Sequence, residues 1–153
     1  MKYPIGIQDF ESLRTNDYTY VDKTSLIYKL ANEGKYYFLS RPRRFGKSLL
    51  VSTLSAYFSG KRELFKGLAM EQLEKDWKKY PVMHLDLNTG KYDSIDALNE
   101  NLDYQITKFE NTYGAPDKLY SLPLRFASVI EKACQKTGQP VAILVDEYDK
   151  PML

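Results

Sequence analysis

The apolar positions change period along the chain, and each change marks an element. Tyr36-Tyr37-Phe38-Leu39 is a continuous aromatic and aliphatic run between Gly34 and Ser40, which predicts a buried strand. After a polar loop, Leu50, Leu54 and Phe58 recur at every fourth position with Leu49 and Thr53 beside them, which predicts a helix closed by Gly60. Val82 to Leu87 reads as a second strand, with Asn88-Thr89-Gly90 as the turn out of it. A long helix follows, capped by Asp93 or Ser94, with Ile95, Leu98, Leu102, Ile106 and Phe109 on one face and Gly114 at its end. Another is predicted from about Leu122 to Thr137, with Ser121 as cap, Pro123 in its first turn, and Gly138 as stop. Val141 to Val145 is a continuous apolar run rich in β-branched residues, as expected of a parallel strand covered on both faces.

The remaining stretches give weaker signals. Residues 1 to 22 read as an irregular leader, and Thr24 as the cap of a helix carrying Leu26, Ile27 and Leu30 that Gly34 ends. Leu64, Phe65 and Leu68 predict a short helical stretch, and Met70, Leu73 and Trp77 the apolar edge of another, stopped by Pro81. Strands alternating with helices predict an α/β layered domain with a mainly parallel sheet, whose ligands bind at the carboxyl ends of the strands.

Composition narrows the function classes. The 153 residues fit one domain, and the formal charge of +2 gives no global argument for a nucleic-acid partner. No apolar run approaches the length of a membrane span and no secretory leader is visible, so the expected location is cytoplasmic. Cys134 is the only cysteine, which excludes an intramolecular disulfide and a cysteine-built metal site.

The chemistry concentrates in the polar loop after the first strand, Arg41-Pro42-Arg43-Arg44-Phe45-Gly46-Lys47-Ser48. It ends in the Gly-Lys-Ser of a phosphate-binding loop, in which backbone amides and a helix N-terminus surround phosphate oxygens. The Lys pairs with phosphate and the Ser hydroxyl helps to hold Mg²⁺. Arg41 stands where the pattern has its first Gly, and Pro42 stiffens the path, so a basic surface loop is the competing reading. The last apolar run ends in the adjacent carboxylates Asp146 and Glu147, where such nucleotide-hydrolysing proteins place an Asp near Mg²⁺ and a Glu that orients water. A solvated strand end is the bland alternative, and two such signals at opposite ends of one α/β pattern favour the functional one.

Other residues carry less. Arg41, Arg43 and Arg44 read equally as phosphate ligands or as a solvated basic rim. His84, alone and inside a predicted strand, reads as a buried or half-buried structural residue. Asp86 and Asn88 close the second strand and read as turn-capping residues ahead of the alternative of contact with the nucleotide or its water. Asp149 reads as an outer support for Mg²⁺ or water, and the lysines at 75, 78 and 79 as a wet helix face.

The chain resembles the bacterial family of predicted AAA-ATPase-like proteins. The resemblance rests on Pro4-Ile5-Gly6 with Asp9-Phe10, Tyr20-Val21-Asp22-Lys23-Thr24, Arg41 through Ser48, and Val145-Asp146-Glu147-Tyr148-Asp149-Lys150-Pro151. In that family Arg in place of the first Gly is the usual form. The resemblance implies a three-layer phosphate-loop NTPase domain with ATP and Mg²⁺ as cofactors. Residues 41 to 49 (Arg41, Pro42, Arg43, Arg44, Phe45, Gly46, Lys47, Ser48 and Leu49) would line the nucleotide. Ser48 and Asp146 would serve the metal, and Lys47 and Glu147 would be catalytic. Relatives continue beyond the Asp-Glu pair, commonly into a nuclease-like domain, so residues 1 to 153 are expected to be the N-terminal part of such a domain, ending after the Walker B strand. On this view 1 to 35 form a leader and helix, and 36 to 153 run from phosphate loop to Walker B. The open sheet invites self-association. The expected function is an ATP-binding fragment of an ATPase. A nucleotide-dependent switch controlling a partner or attached nuclease is the alternative, and a small-molecule kinase a more distant one.

Overall fold

A computed structural model describes residues 2–34, 47–87 and 94–146. The chain divides into two compact units, Met1–Lys79 and Tyr80–Leu153. The predicted strand at 36–39 and the turn at 88–90 lie outside the described residues.

In the first unit, α1 (Phe10–Thr15), α2 (Thr24–Glu33), α3 (Lys47–Phe58), a 3-10 turn (Arg62–Phe65) and α4 (Ala69–Leu73) enclose an aromatic core. The leader therefore contains a helix. The Asp9 carboxylate accepts from the Ser12 amide at 2.8 Å to cap α1, and Phe10 and Leu13 turn inward. Six residues are too few for a 3.6-residue period to emerge from sequence. Phe10 and Phe65 are fully buried, with ring centroids 4.9 Å apart. Each such side chain contributes about 1.5–3 kcal/mol through apolar burial.

The motif at 20–24 acts as a staple between α2 and α4. One Asp22 carboxylate oxygen accepts from the Thr24 amide and hydroxyl at 2.9 and 2.6 Å, and the other from the Ala69 amide at 2.7 Å. The buried Thr24 hydroxyl accepts in turn from the Met70 amide at 3.0 Å. Thr24 is thus the first residue of α2 rather than its cap.

The helix expected over Met70 to Trp77 ends at Leu73, because tertiary contacts replace its last turns. Tyr57 donates its hydroxyl to the Glu74 carboxylate, which also accepts from the Asp76 amide at 3.1 Å. Trp77 then adopts a left-handed φ of 48°, a strain of about 1–2 kcal/mol for a residue with a Cβ. Its ring packs against Phe65 and Tyr57 at centroid distances of 5.2 and 6.0 Å. Gly60, at φ 71°, lies so close beneath this segment that a Cβ would sit 2.7 Å from Lys79 Cγ and 3.1 Å from the Trp77 carbonyl oxygen.

Two carboxylates make this unit acid-sensitive. Burial opposes the charge on Asp22, but the Thr24 hydroxyl and amide, the Ala69 amide and Arg14 together hold it below the usual carboxylate range. Burial likewise opposes the charge on Glu74, and the Tyr57 hydroxyl with the Asp76, Trp77 and Lys75 amides outweighs it. A depressed folded value means stabilisation that is present above the unfolded value and lost as pH falls through the folded one. Unfolding midpoints followed by circular dichroism are therefore expected to drop as pH falls below about 4, and Asp22→Asn to flatten that drop.

In the second unit, β1 (Val82–Asp86) and β2 (Ala142–Asp146) pair in parallel, from Val82 opposite Ala142 to Asp86 opposite Asp146. Parallel pairing requires a long crossover, supplied by α5 (Ile95–Tyr113) and α6 (Leu122–Thr137). The described part is thus α/β with a two-stranded parallel sheet. Met83, Val129 and Ala133 are fully buried, with Phe109, Phe126, Ile130 and Val141 around them. Ser94 caps α5 through the Ala97 amide at 3.1 Å, and Gly138 closes α6 in the left-handed region. Arg125 of α6 ties the two helices by pairing with the buried Glu110, at 2.5 Å, and with Asp103.

His84 is exposed, contrary to the expected burial, because the period-two alternation turns Met83 and Leu85 toward the core and His84 away from it. Ile143 and Val145 each keep 42% of their surface exposed, so among the described residues β2 is not covered on both faces.

Candidate functional site

The helix predicted from the Leu50, Leu54, Phe58 spacing is described over Lys47–Phe58, with Lys47, Ser48 and Leu49 in its first described turn. All three are half-buried. The first amides of an α-helix have no partner within the helix, and the aligned peptide dipoles leave about half a positive charge there. Like α2 and α6, α3 carries no acid in its first turn, and it differs from them in having Lys47 there. Arg41, Pro42, Arg43, Arg44, Phe45 and Gly46, the rest of the expected cradle, lie outside the described residues.

The leader braces the start of α3. The Phe10 amide donates to Ser52 Oγ at 3.0 Å, and that hydroxyl donates to the Leu49 carbonyl at 2.9 Å. Thr53 is fully buried and donates to the same Leu49 carbonyl at 2.6 Å. Burial pushes the Tyr20 phenol up, with a hydrogen bond to Thr53 pulling the other way. Thus Phe10 and Tyr20, residues of the sequence motifs quoted above, contact α3 one to two turns beyond Lys47. Pattern reading missed this, because two side chains separated by about forty positions leave no periodic signal.

In the second unit, Asp146 ends β2 at the carboxyl edge of the parallel pair and is 6% exposed. Its carbonyl accepts from the Leu87 amide at 3.0 Å, and its register partner is Asp86. Asp86 is held through its backbone: its amide donates to Gln105 Oε1 at 2.8 Å and its carbonyl accepts from Gln105 Nε2 at 2.9 Å. Gln105 was invisible in the sequence, where it reads as one polar position on a long helix. In-register parallel neighbours project to the same face, so the Asp86 and Asp146 side chains share the side opposite Met83 and Leu85. Glu147, Asp149 and Asn88 lie outside the described residues.

Among the described residues, no cluster of three or more His, Cys, Asp or Glu is placed to hold a metal. Ser48 in the first unit and Asp146 in the second each carry a hard oxygen donor, the type of ligand that Mg²⁺ takes together with phosphate and water oxygens. No helix among the described residues is long and apolar enough to cross a membrane.

The profile of the family described as "Predicted AAA-ATPase" matches residues 4–153. An uncharacterised protein from the vnfD 5' region of Azotobacter chroococcum mcd 1 is 40% identical over 154 residues, covering 99% of this chain. The chain spans only 30% of that relative's length. No solved structure matches it.

Proposed function

The chain belongs to the predicted AAA-ATPase family, and from that premise we propose that it is the nucleotide-binding part of a phosphate-loop ATPase of three-layer α/β architecture. The observation that carries this reading is that Lys47 and Ser48 of the Gly46-Lys47-Ser48 sequence stand in the first described turn of α3, which holds a cation and no acid. Such a helix end, preceded by a basic loop, is suited to the terminal phosphates of ATP.

In this reading the Lys47 ammonium and the amides of residues 41 to 49 neutralise phosphate oxygens. Ser48 and Asp146 are each assigned as a Mg²⁺ ligand, and the ion, when bound, would supply charge neutralisation for the terminal phosphates. Glu147, the next residue after Asp146, orients the attacking water and receives its proton. Rate acceleration comes from positioning and electrostatics rather than from a covalent intermediate. A protein with all of these groups hydrolyses ATP; one that binds without turnover is a nucleotide-dependent switch, and the two readings share the same grip on phosphate.

Glu147→Gln separates them. For a hydrolase, the variant retains Mg-ATP affinity within about twofold while steady-state phosphate release falls by about 100-fold or more, as removal of a general base commonly gives. Equal phosphate release by the two proteins would contradict a catalytic role for Glu147, and Mg-ATP binding by the wild type with no release above background would favour the switch.

A further inference from the structure

The far end of α3 is fastened to the segment Glu74–Lys79, which leads directly to the start of the second unit at Tyr80. Three contacts make the attachment. The Tyr57 hydroxyl, in the last turn of α3, donates to the Glu74 carboxylate. The Tyr57 ring meets Trp77 edge to face, with centroids 6.0 Å apart and planes at 84°. Gly60, two residues past the helix, admits the Trp77 and Lys78 carbonyl oxygens so closely that a Cβ would stand 3.1 and 3.3 Å from them.

Two local costs oppose this docking. Trp77 sits at φ 48°, and its buried indole N–H finds no acceptor among the described residues. Turning Trp77 to a negative φ with its indole in water would remove both costs and give up the aromatic contacts with Tyr57 and Phe65. The strain and the unbonded donor offset part of what the packing contributes, which narrows the gap between docked and undocked arrangements as a switch requires.

Resting on the reading of Lys47 and Ser48 as the phosphate grip, we propose that Glu74–Lys79 is a strap that senses nucleotide at the opposite end of α3. Phosphate orders the first turn of α3, and because helix formation is cooperative along a hydrogen-bonded segment, that order favours the helical last turn that presents Tyr57. Nucleotide therefore favours the docked strap, and a docked strap tightens nucleotide by the same factor.

Trp77 is the only tryptophan, so its emission reports the strap without a label. The experiment measures acrylamide quenching of Trp77 with and without saturating Mg-ATP, with binding followed independently by calorimetry. Quenching is expected to fall by about twofold on saturation, with a midpoint at the calorimetric Kd. Tyr57→Phe, which keeps the ring and loses the bond to Glu74, is expected to cut the response by more than half and weaken Mg-ATP by about fivefold. Binding without a quenching change, or a full response in Tyr57→Phe, overturns the strap while leaving the phosphate grip intact. Absence of any calorimetric binding by the wild type overturns the grip itself, and the strap with it.

Discussion

Lys47→Ala is expected to weaken Mg-ATP binding by about 10- to 150-fold, the loss that follows from removing a charge-assisted contact worth about 1.5–3 kcal/mol. The effect is large because the ammonium stands at the first residue of α3, where helix dipole and side chain act on the same anion. Lys47→Arg is expected to recover little, since a planar fork does not replace a compact charge in a cradle of amides. Calorimetric titration of the three proteins measures both effects. Circular dichroism controls for folding, because Lys47 is only half-buried and contributes little to the core. Unchanged affinity in Lys47→Ala would contradict the phosphate grip.

Phe65→Ala is expected to carry the largest stability cost, about 3–5 kcal/mol, the range for emptying a fully buried aromatic site. Phe65 touches Phe10, Tyr57 and Trp77 at centroid distances of 4.9, 6.4 and 5.2 Å, so its removal leaves three rings without a common neighbour. Those rings belong to α1, α3 and the strap, and amide exchange in these elements is expected to accelerate together. Leu119→Ala, at a fully exposed position, is expected to change stability by no more than about 0.5 kcal/mol. Equal effects of the two substitutions in urea unfolding would show that the aromatic cluster does not hold the first unit together.

The elements easiest to read in the sequence were those whose stabilisation is local. α3, α5 and α6 appear within a residue or so of their expected ends, because Ser94, Gly114, Ser121 and Gly138 mark where the backbone can start or stop a helix. The two strands were equally legible, as short β-branched or alternating runs. Elements governed by distant partners were not. α1 depends on the burial of Phe10, and α4 is cut short by the bond between Tyr57 and Glu74, seventeen positions apart. His84 was misjudged for a related reason: alternation puts it on one face, but only the placement of α5 and α6 decides which face is covered. At the candidate site, the sequence singled out Lys47, Ser48 and Asp146 by residue type and context. It could not reveal Ser52, Thr53 or Gln105, ordinary polar residues whose roles come from what folds against them.

Whether the first turn of α3 grips a metal-bound phosphate is the central question, and the ATP affinity of Ser48→Ala, measured with Mg²⁺ and with chelator, addresses it most directly. The account predicts that Ser48→Ala weakens Mg-ATP by about tenfold and that the difference vanishes without the metal. An unchanged affinity with Mg²⁺, or a loss that persists in chelator, would contradict it.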